Sequence, residues 1–242
     1  ARVARGPAGN PDPPRATPGC AGGTAGATIP TMCGRYFQQR GPADVARYFE
    51  TVNPVPNLFA SWNRAPTQDA LVVRRHPETG ARHLDALRWG LVPRWAKDPA
   101  IGSRMINARG GKAKQAYAVA MRDGAPMPLA GLWEGWRAPD GSILRSCTIV
   151  TTTANPRLSA IHDRMPVILP RDAWPLWLGE QPAASPAELA TLLRPYPAEG
   201  LAVWPVEKRV GRVSENDRAL LARDPLAVPS PELDDPPPAL PD

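Results

Sequence analysis

The sequence predicts an α+β fold, mainly antiparallel β-sheet with short peripheral helices. Short segments rich in β-branched and aromatic residues recur between turn signals, whereas only three stretches have the pattern of a short helix. Proline accounts for 32 of the 242 residues. Because proline interrupts both helices and sheet ladders, that excess confines regular structure to short elements and places the rest in loops and tails.

Composition divides the chain into three parts. Residues 1–31 contain six glycines, six prolines and no aromatic residue, and residues 223–242 contain seven prolines and an acidic end. Neither segment has enough apolar surface to offset its ordering entropy, so we expect a disordered leader and a disordered tail. The folded domain is expected over 32–222.

The elements follow in order. A helix is predicted over 42–48, and a hairpin is predicted from strands 117–121 and 128–133 around the Arg-Asp-Gly turn at 122–124. Further helices are predicted over 174–178 and 186–193, the second with Ser185 as N-cap and Glu188 completing a capping box. Other strands are predicted over 71–75, 84–89, 147–153, 165–169 and 201–206.

Several classes of protein are excluded or disfavoured. No apolar run has the length of a membrane helix and no secretory signal precedes the domain, so a cytoplasmic protein is expected. Three scattered cysteines without a C-x-x-C pair, and three isolated histidines, argue against a disulfide scaffold, a metal site and a cofactor. The formal net charge of +6 favours an anionic partner, nucleic acid first.

Cys33 is the first candidate for chemistry, because it directly follows Met32. Taken alone, a single cysteine is interpreted as a small, buried packing residue. If translation starts at Met32, however, methionine removal leaves an amine and a thiol on adjacent carbons. That pair condenses with an aldehyde through an imine and closes a five-membered ring.

Other candidates are polar residues within distinctive motifs. His162 is a natural proton carrier near neutral pH, or else a surface histidine at a turn. Trp95 follows a Gly/Pro turn beside cations, which suits base stacking as well as an ordinary core strand. Asn107 and Arg109 are two residues apart, so a strand presents both on one face.

Six motifs in order resemble the SOS response-associated peptidase (SRAP) family of abasic-site processing proteins. They occupy residues 32–36, 62–67, 89–95, 106–109, 148–155 and 161–169. The resemblance implies a monomer that binds single-stranded DNA and links an N-terminal cysteine to the abasic-site aldehyde as a thiazolidine. It also implies thiol autopeptidase activity that exposes that cysteine.

The resemblance also assigns roles to residues. Cys33 is implied as the nucleophile, Asn107 as the group that positions the reacting amine and sugar, and His162 as the proton shuttle. Four further residues are implied as contacts to DNA near the lesion: Arg35, Trp95, Arg109 and Thr151.

Two features depart from the family pattern. Cys33 is internal in this sequence, which requires either a misplaced start or removal of the leader. In the family, a helix and a strand with the catalytic glutamate follow the Ile-Asn-Ala-Arg motif, whereas here Arg109 is followed at once by Gly110 and Gly111. We therefore expect that a block is missing and that Glu134, in a similar but later motif, is a doubtful replacement for that acid.

Three outcomes remain open at this point. The chain forms the covalent adduct, it binds single-stranded DNA without chemistry because the glutamate is lost, or its only substrate is its own leader. Loss of a helix and a strand also predicts a less stable domain than that of full-length relatives, because the sheet acquires free edges.

Overall fold

The computed structural model describes residues 34–106, 115–182 and 185–238. Within these ranges the chain forms an α+β fold, as predicted, with ten strands and three α-helices. The strands are β1 (Tyr36–Gln38), β2 (Ser61–Arg64), β3 (Asp69–Arg75), β4 (Arg82–Trp89), β5 (Ala116–Met121), β6 (Gly131–Arg137), β7 (Ile143–Ile149), β8 (Thr151–Thr153), β9 (Arg164–Pro166) and β10 (Leu201–Val206). The helices are α1 (Pro42–Phe49), α2 (Trp174–Leu178) and α3 (Pro186–Ala190).

The strands form one four-stranded sheet and three ribbons. The sheet has the order β3-β4-β7-β6 and is antiparallel except for a short parallel contact between β4 and β7. The antiparallel ribbons are β1-β2, β5-β10 and β8-β9. None of the helices in the described ranges is both long and apolar enough to cross a bilayer.

Strand β10 is the most deeply buried element of the described chain. Leu201 and Val203 pack into a cluster with Met165, while Trp204 and Val206 pack on the opposite face of the strand. A strand that is covered on both faces must be apolar at every position, which explains its unbroken Leu-Ala-Val-Trp-Pro-Val sequence.

The predicted hairpin between 117–121 and 128–133 is wrong in its pairing. Strand β5 pairs with β10, and β6 pairs with β7 across the Pro-Asp-Gly turn at 139–141. The turn at 122–124 has the composition of a hairpin loop, but β6 begins only at Gly131, too far from β5 for a tight turn. Non-local pairing with β10 therefore replaces the local ribbon.

Most of the other elements are confirmed with small differences in their bounds. The strand expected over 147–153 is divided into β7 and β8, because Val150 pairs instead with Ala130 and Val167. Helix α3 ends at Ala190, but its predicted cap is present, since the Ser185 hydroxyl accepts a hydrogen bond from the Glu188 amide. Strands β1 and β2 were not predicted.

The stretch from 223 to 238, expected to be a disordered tail, instead lies against the domain. Leu233 is buried in the cluster around Met165, and the Asp235 carboxylate accepts hydrogen bonds from the Val203 amide and Arg122. Arg157 lies 2.5 Å from the same carboxylate. Composition does not predict this contact, because only a few anchoring side chains hold the proline-rich segment against the domain. Residues 1–31 and 239–242, also expected to be disordered, lie outside the described chain.

We predict that Asp235→Asn destabilises the protein by about 2 kcal/mol at neutral pH, because it removes a charge-assisted network. Burial alone raises the pKa of Asp235, but the hydrogen bonds from Val203 and Arg122 and the charge of Arg157 outweigh it and lower the pKa. A depressed folded-state pKa stabilises the protein above the unfolded value of about 3.9 and loses that contribution as pH falls below it. Urea unfolding at pH 7 and pH 3 measures the difference, and an equal effect at both values contradicts the assignment.

Two glycines bring the turn after β4 against a short helical turn. Gly90 has φ +125°, and a Cβ added there would lie 2.4 Å from the Gly102 carbonyl oxygen. This close approach lets the Leu91 amide donate to the Met105 carbonyl at 3.0 Å. The next carbonyl, that of Ile106, accepts from the Trp89 indole at 3.1 Å. The glycine pair thereby fixes the chain that leads into the 107–114 segment.

We predict that Gly90→Ala lowers the free energy of unfolding by about 3 kcal/mol or more, since it combines left-handed strain with a backbone clash. Gly141 is the matched control, because its φ is +86° and nothing lies within 4 Å of an added Cβ. Gly141→Ala bears the strain alone and is expected to cost about 1 kcal/mol. Equal losses for the two variants in denaturant unfolding would refute the close-approach argument.

Candidate active site

A cleft of about 840 Å³ lies at the centre of the domain, and we call it the central cleft. It is lined by residues 34–40, by all of β5, by Cys147 to Ile149, and by His162 and Arg164. Most of its wall is apolar, with contributions from all of the ribbons and from the four-stranded sheet. The central cleft therefore lies where the separate sheets of the domain face one another.

The volume of the central cleft is too large for a closed cavity that contains neither water nor another group. A closed empty cavity costs about 24 cal/mol per Å³, so 840 Å³ would cost on the order of 20 kcal/mol. Whole domains are stable by only about 5–15 kcal/mol. The cleft must therefore be hydrated through its open side or filled by another group.

His162 lies in the wall of the central cleft with about 10% of its side chain exposed. Its Nδ1 atom accepts a hydrogen bond from the Arg164 amide at 3.0 Å and lies 2.6 Å from the Asp163 carboxylate. Both contacts hold the imidazole ring in place through its Nδ1 atom.

Three candidate residues lie outside the described chain, and described residues close to two of them, Cys33 and Asn107, meet in one cluster. Tyr36 and Trp89 pack edge to face with ring centroids 5.2 Å apart. Ile106 belongs to the same buried cluster, together with Cys147. Cys33, Asn107 and Arg109 lie outside the described residues, but the chain next to Cys33 and the chain next to Asn107 lead into this one region.

Arg35 also lines the central cleft. Its guanidinium donates to the carbonyl of Gly34 at 2.7 Å and to that of Gly211 at 2.9 Å, while its Nε atom is buried without a partner. Burial lowers the pKa of this guanidinium, but arginine stays protonated. Arg35 is therefore held at the wall beside Gly34 by neutral carbonyls and retains its charge for an anion.

Thr151 does not line the cleft itself but is hydrogen-bonded to a residue that does. Its hydroxyl accepts hydrogen bonds from the Nε and a terminal nitrogen of Arg164 at 3.0 and 2.8 Å, and its carbonyl accepts a third at 2.7 Å. Arg164 itself lines the cleft beside His162. The family resemblance implies Thr151 but not Arg164, although Arg164 directly follows His162 and Asp163 in the chain.

Glu134 lies on a different face of the sheet. Strand residues alternate between faces, and Trp133 packs with Trp89 and Cys147, so Glu134 faces the same side as Trp136. Its carboxylate pairs with Arg94 at 3.2 Å. Glu134 does not line the central cleft, and the structure therefore does not bring it together with His162.

Trp95 does not line the central cleft and directly follows Arg94, the ion-pair partner of Glu134. Its side chain is 73% exposed in the loop after Val92. The Trp136 indole anchors this loop by donating to the Ala96 carbonyl at 2.7 Å. Exposed Trp95 and the neighbouring Arg94 thus form an aromatic and cationic surface outside the cleft.

Cys147 is the one cysteine in the described ranges and it is not a nucleophile at neutral pH. It is buried in β7, and burial raises the pKa of its thiol to about 12. Only roughly one thiol in ten thousand is then ionised near pH 8. Cys147 serves as a packing residue, which makes it a natural control for Cys33.

The described lining of the central cleft contains arginines but no carboxylates. Three arginines line it, namely Arg35, Arg40 and Arg164, and none of them pairs with a carboxylate of the described chain. No aspartate or glutamate appears among the described lining residues. The same part of the chain contains no cluster of histidine, cysteine or carboxylate side chains that could hold a metal ion.

The comparisons with known proteins identify relatives over most of the chain. The family described as SOS response associated peptidase (SRAP) matches residues 32–113 and 110–213. The Bacillus subtilis abasic site processing protein YoaM is 32% identical over 224 residues, covering 78% of this chain and 97% of the relative. The Escherichia coli abasic site processing protein YedK is 26% identical over 222 residues, covering 78% of this chain and 99% of the relative. A crystal structure from Bacteroides thetaiotaomicron superposes with a TM-score of 0.69 at 18% identity, covering 79% of this chain and all of that one, which supports the fold.

The comparisons also indicate that residues present in the relatives are missing from this chain. The match to the Bacillus protein runs over 224 positions but covers 78% of 242 residues, about 189, so about 35 positions have no residue of this chain. The family match is interrupted at 110–113, directly before β5. The block expected from the sequence to be absent thus falls where the match breaks. With both parts of the family matched in order on this fold, the chain belongs to the SRAP family.

Proposed function

We propose that this protein processes abasic sites in single-stranded DNA by linking Cys33 to the aldehyde of the ring-opened sugar. Family membership and relatives named abasic site processing proteins support the proposal. The observation that carries it is the central cleft, whose lining residues include both Gly34, the residue after Cys33, and His162. The net charge of +6 suits a phosphate backbone.

The reaction requires Cys33 to be the first residue. Its free amine condenses with the aldehyde to an imine and releases one water molecule. The thiolate then adds to the imine carbon, and the nitrogen takes up a proton, which closes the thiazolidine ring. In a chain that retains residues 1–32 the nitrogen is part of a peptide bond and the first step cannot occur.

His162 is proposed as the proton shuttle for these steps. Opening the sugar, losing water from the carbinolamine and reversing the adduct each need a group that both gives and takes a proton. The imidazole is mostly buried in the cleft wall, where the Arg164 amide and the Asp163 carboxylate hold it through its Nδ1 atom. Autopeptidase activity that exposes Cys33 would draw on the same thiol and the same histidine.

The other roles are proposals of positioning and DNA contact. Asn107 orients the amine and the sugar, and Arg109 contacts the backbone near the lesion. Arg35 offers its charge at the cleft wall, and Arg164, supported by Thr151, does so beside His162. Trp95 stacks on an unpaired base outside the cleft, where its exposure and the adjacent Arg94 suit single strands.

A second candidate function is binding of single-stranded DNA without the covalent step. The observation that favours it is the absence of an acid among the described lining residues, together with the outward placement of Glu134. If the reaction needs a carboxylate in the cleft, none of the described lining residues supplies it. Both candidates bind DNA with the same salt dependence, so only the covalent product separates them.

We predict that protein produced from Met32 gains the mass of an abasic single-stranded oligonucleotide less one water, as measured by intact mass spectrometry. Cys33→Ala abolishes the adduct, since both the thiol and the ring are lost. Cys147→Ala is the matched control and retains the adduct, because the buried Cys147 thiol is not ionised near neutral pH. The same spectrum reports whether Met32 has been removed.

Two further variants separate the candidates. Glu134→Gln is expected to leave adduct formation unchanged, because Glu134 pairs with the exposed Arg94 on another face. His162→Gln is expected to slow adduct formation by about 10²-fold or more, as loss of a general acid-base group does. DNA binding without any adduct, with Cys33 shown to be N-terminal, would replace the first proposal by the second.

A further inference from the structure

A second, smaller pocket lies beside strand β2, and we call it the side pocket. It has a volume of about 190 Å³ and is lined by residues 58–61, 63, 64 and 68 and by residues 213 and 216. All of these residues lie in the described ranges 34–106 and 185–238. Because side chains alternate along a strand, Trp62 lines the central cleft, whereas Ser61 and Asn63 line the side pocket. A single strand therefore separates the two spaces.

Asn63 brings a buried acceptor without a donor to the side pocket. Its side chain belongs to a residue only 2% exposed, and the amide nitrogen donates to the carbonyl oxygens of Arg212 and Glu215 at 2.9 and 2.8 Å. These two acceptors fix the orientation of the amide, since its oxygen would repel them. The residues that follow them, Val213 and Asn216, line the pocket. The Oδ1 atom of Asn63 has no hydrogen-bond partner in the described chain.

Arg64 brings a buried donor without an acceptor. It is 8% exposed, and one terminal nitrogen of its guanidinium donates to the Phe59 carbonyl at 2.8 Å, at the lining of the pocket. Its Nε atom is buried and has no hydrogen-bond partner in the described chain. Buried polar atoms are almost always paired in native proteins. The unpaired atoms of Asn63 and Arg64 together indicate that a group with both a donor and an acceptor belongs in the side pocket.

An exposed aromatic ring borders the side pocket. Phe59 is 82% exposed and Val213 is 52% exposed, although both line the pocket. The loop that carries Phe59 contains Pro54 and Pro56, and its carbonyl is held by Arg64. Prolines restrict the backbone, so the ring is presented from a stiff loop. Such a ring suits stacking of a planar group.

Volume and charge restrict the class of ligand. Pockets for drug-sized ligands measure about 300–1,000 Å³, so about 190 Å³ suits a single planar ring system. Arg212 is exposed beside the pocket, and its side chain has no hydrogen bond or ion pair in the described chain. The nearby carboxylates of Glu215 and Asp217 pair instead with Arg209. A ring-sized pocket next to an unpaired cation matches a base and its phosphate.

We propose that the side pocket binds one unpaired base of the single-stranded DNA, stacked on Phe59 and hydrogen-bonded to Asn63 and Arg64, with Arg212 at the adjacent phosphate. Nucleobases have donors and acceptors side by side on their edges, as the two unpaired atoms require. A base in a single strand is already unpaired, so its insertion breaks no base pair. This inference rests on the proposed function, because it adds a subsite for an intact base to the strand whose abasic site enters the central cleft.

The test compares three strands of equal length and charge with the full chain. One carries thymine throughout, one carries difluorotoluene, which has the shape of thymine but is a very weak hydrogen-bonding group, and one carries tetrahydrofuran residues without bases or aldehydes. Fluorescence anisotropy at one salt concentration measures the Kd of each strand. We expect the thymine strand to bind at least about tenfold more tightly than the base-less strand, with the difluorotoluene strand between them.

Protein variants assign this preference to the side pocket. Phe59→Ala is expected to weaken binding of the thymine strand about tenfold and to leave the base-less strand unchanged. Val55→Ala is the matched control, because Val55 is 47% exposed in the same loop but does not line the pocket. Arg64→Lys keeps the charge but removes the Nε donor, so it is expected to reduce the difference between thymine and difluorotoluene. Thermal unfolding verifies that each variant folds.

Any of four outcomes overturns the inference. Failure of every strand to bind, or equal affinity for the thymine and base-less strands, excludes a base subsite. Unchanged thymine affinity in Phe59→Ala assigns the stacking to another residue. Equal affinity of the unaltered chain for thymine and difluorotoluene excludes the hydrogen bonds to Asn63 and Arg64. The Cys33 adduct with abasic DNA is measured separately, so that experiment decides the proposed function and these strands decide the side pocket.

Discussion

The hydrogen-bonding requirement of strand β5 is the constraint on which the rest of this structure depends. A strand must pair its backbone groups on both edges, expose one edge to water, or accept a partner. Within the described chain β10 pairs with one edge of β5, no strand pairs with the other edge, and β5 lines a cleft of about 840 Å³. The unpaired side-chain atoms of Arg35, Gln38 and Gln39 belong to a segment that lines the same cleft, and the family match breaks directly before β5.

The chemistry of the site follows from which groups the cleft contains. Its lining includes His162, held through its Nδ1 atom by the Arg164 amide and Asp163, and Gly34, the residue after Cys33. Cys147 is also in the wall, but burial raises its pKa to about 12 and removes it as a competitor. No acid of the described chain lines the cleft, since Glu134 pairs with Arg94 on another face. The cationic cleft thus suits an anionic DNA strand.

Local patterns predicted local structure well in this chain. The strand over 201–206, the helix over 174–178 and the Ser185 cap follow from apolar runs and capping residues, and each is confirmed. The pairing of β5 with β10 could not be predicted, because it joins strands some eighty residues apart and competes with a convincing turn at 122–124. The contacts of Leu233 and Asp235 with the domain could not be predicted, because both residues lie in a proline-rich segment whose composition indicates disorder. For the site, motifs identified His162, but the orientation of Glu134 required the strand register.

Amide hydrogen exchange along β5, measured by NMR on the full chain, tests this account most directly. The amides of Ala118 and Ala120 are expected to be strongly protected by β10, while those of Tyr117 and Val119 exchange as exposed amides do. This alternation would establish that the edge facing the central cleft is free. Equal protection of both sets would mean that another segment already covers β5, and it would contradict the vacancy on which the interpretation of the cleft depends.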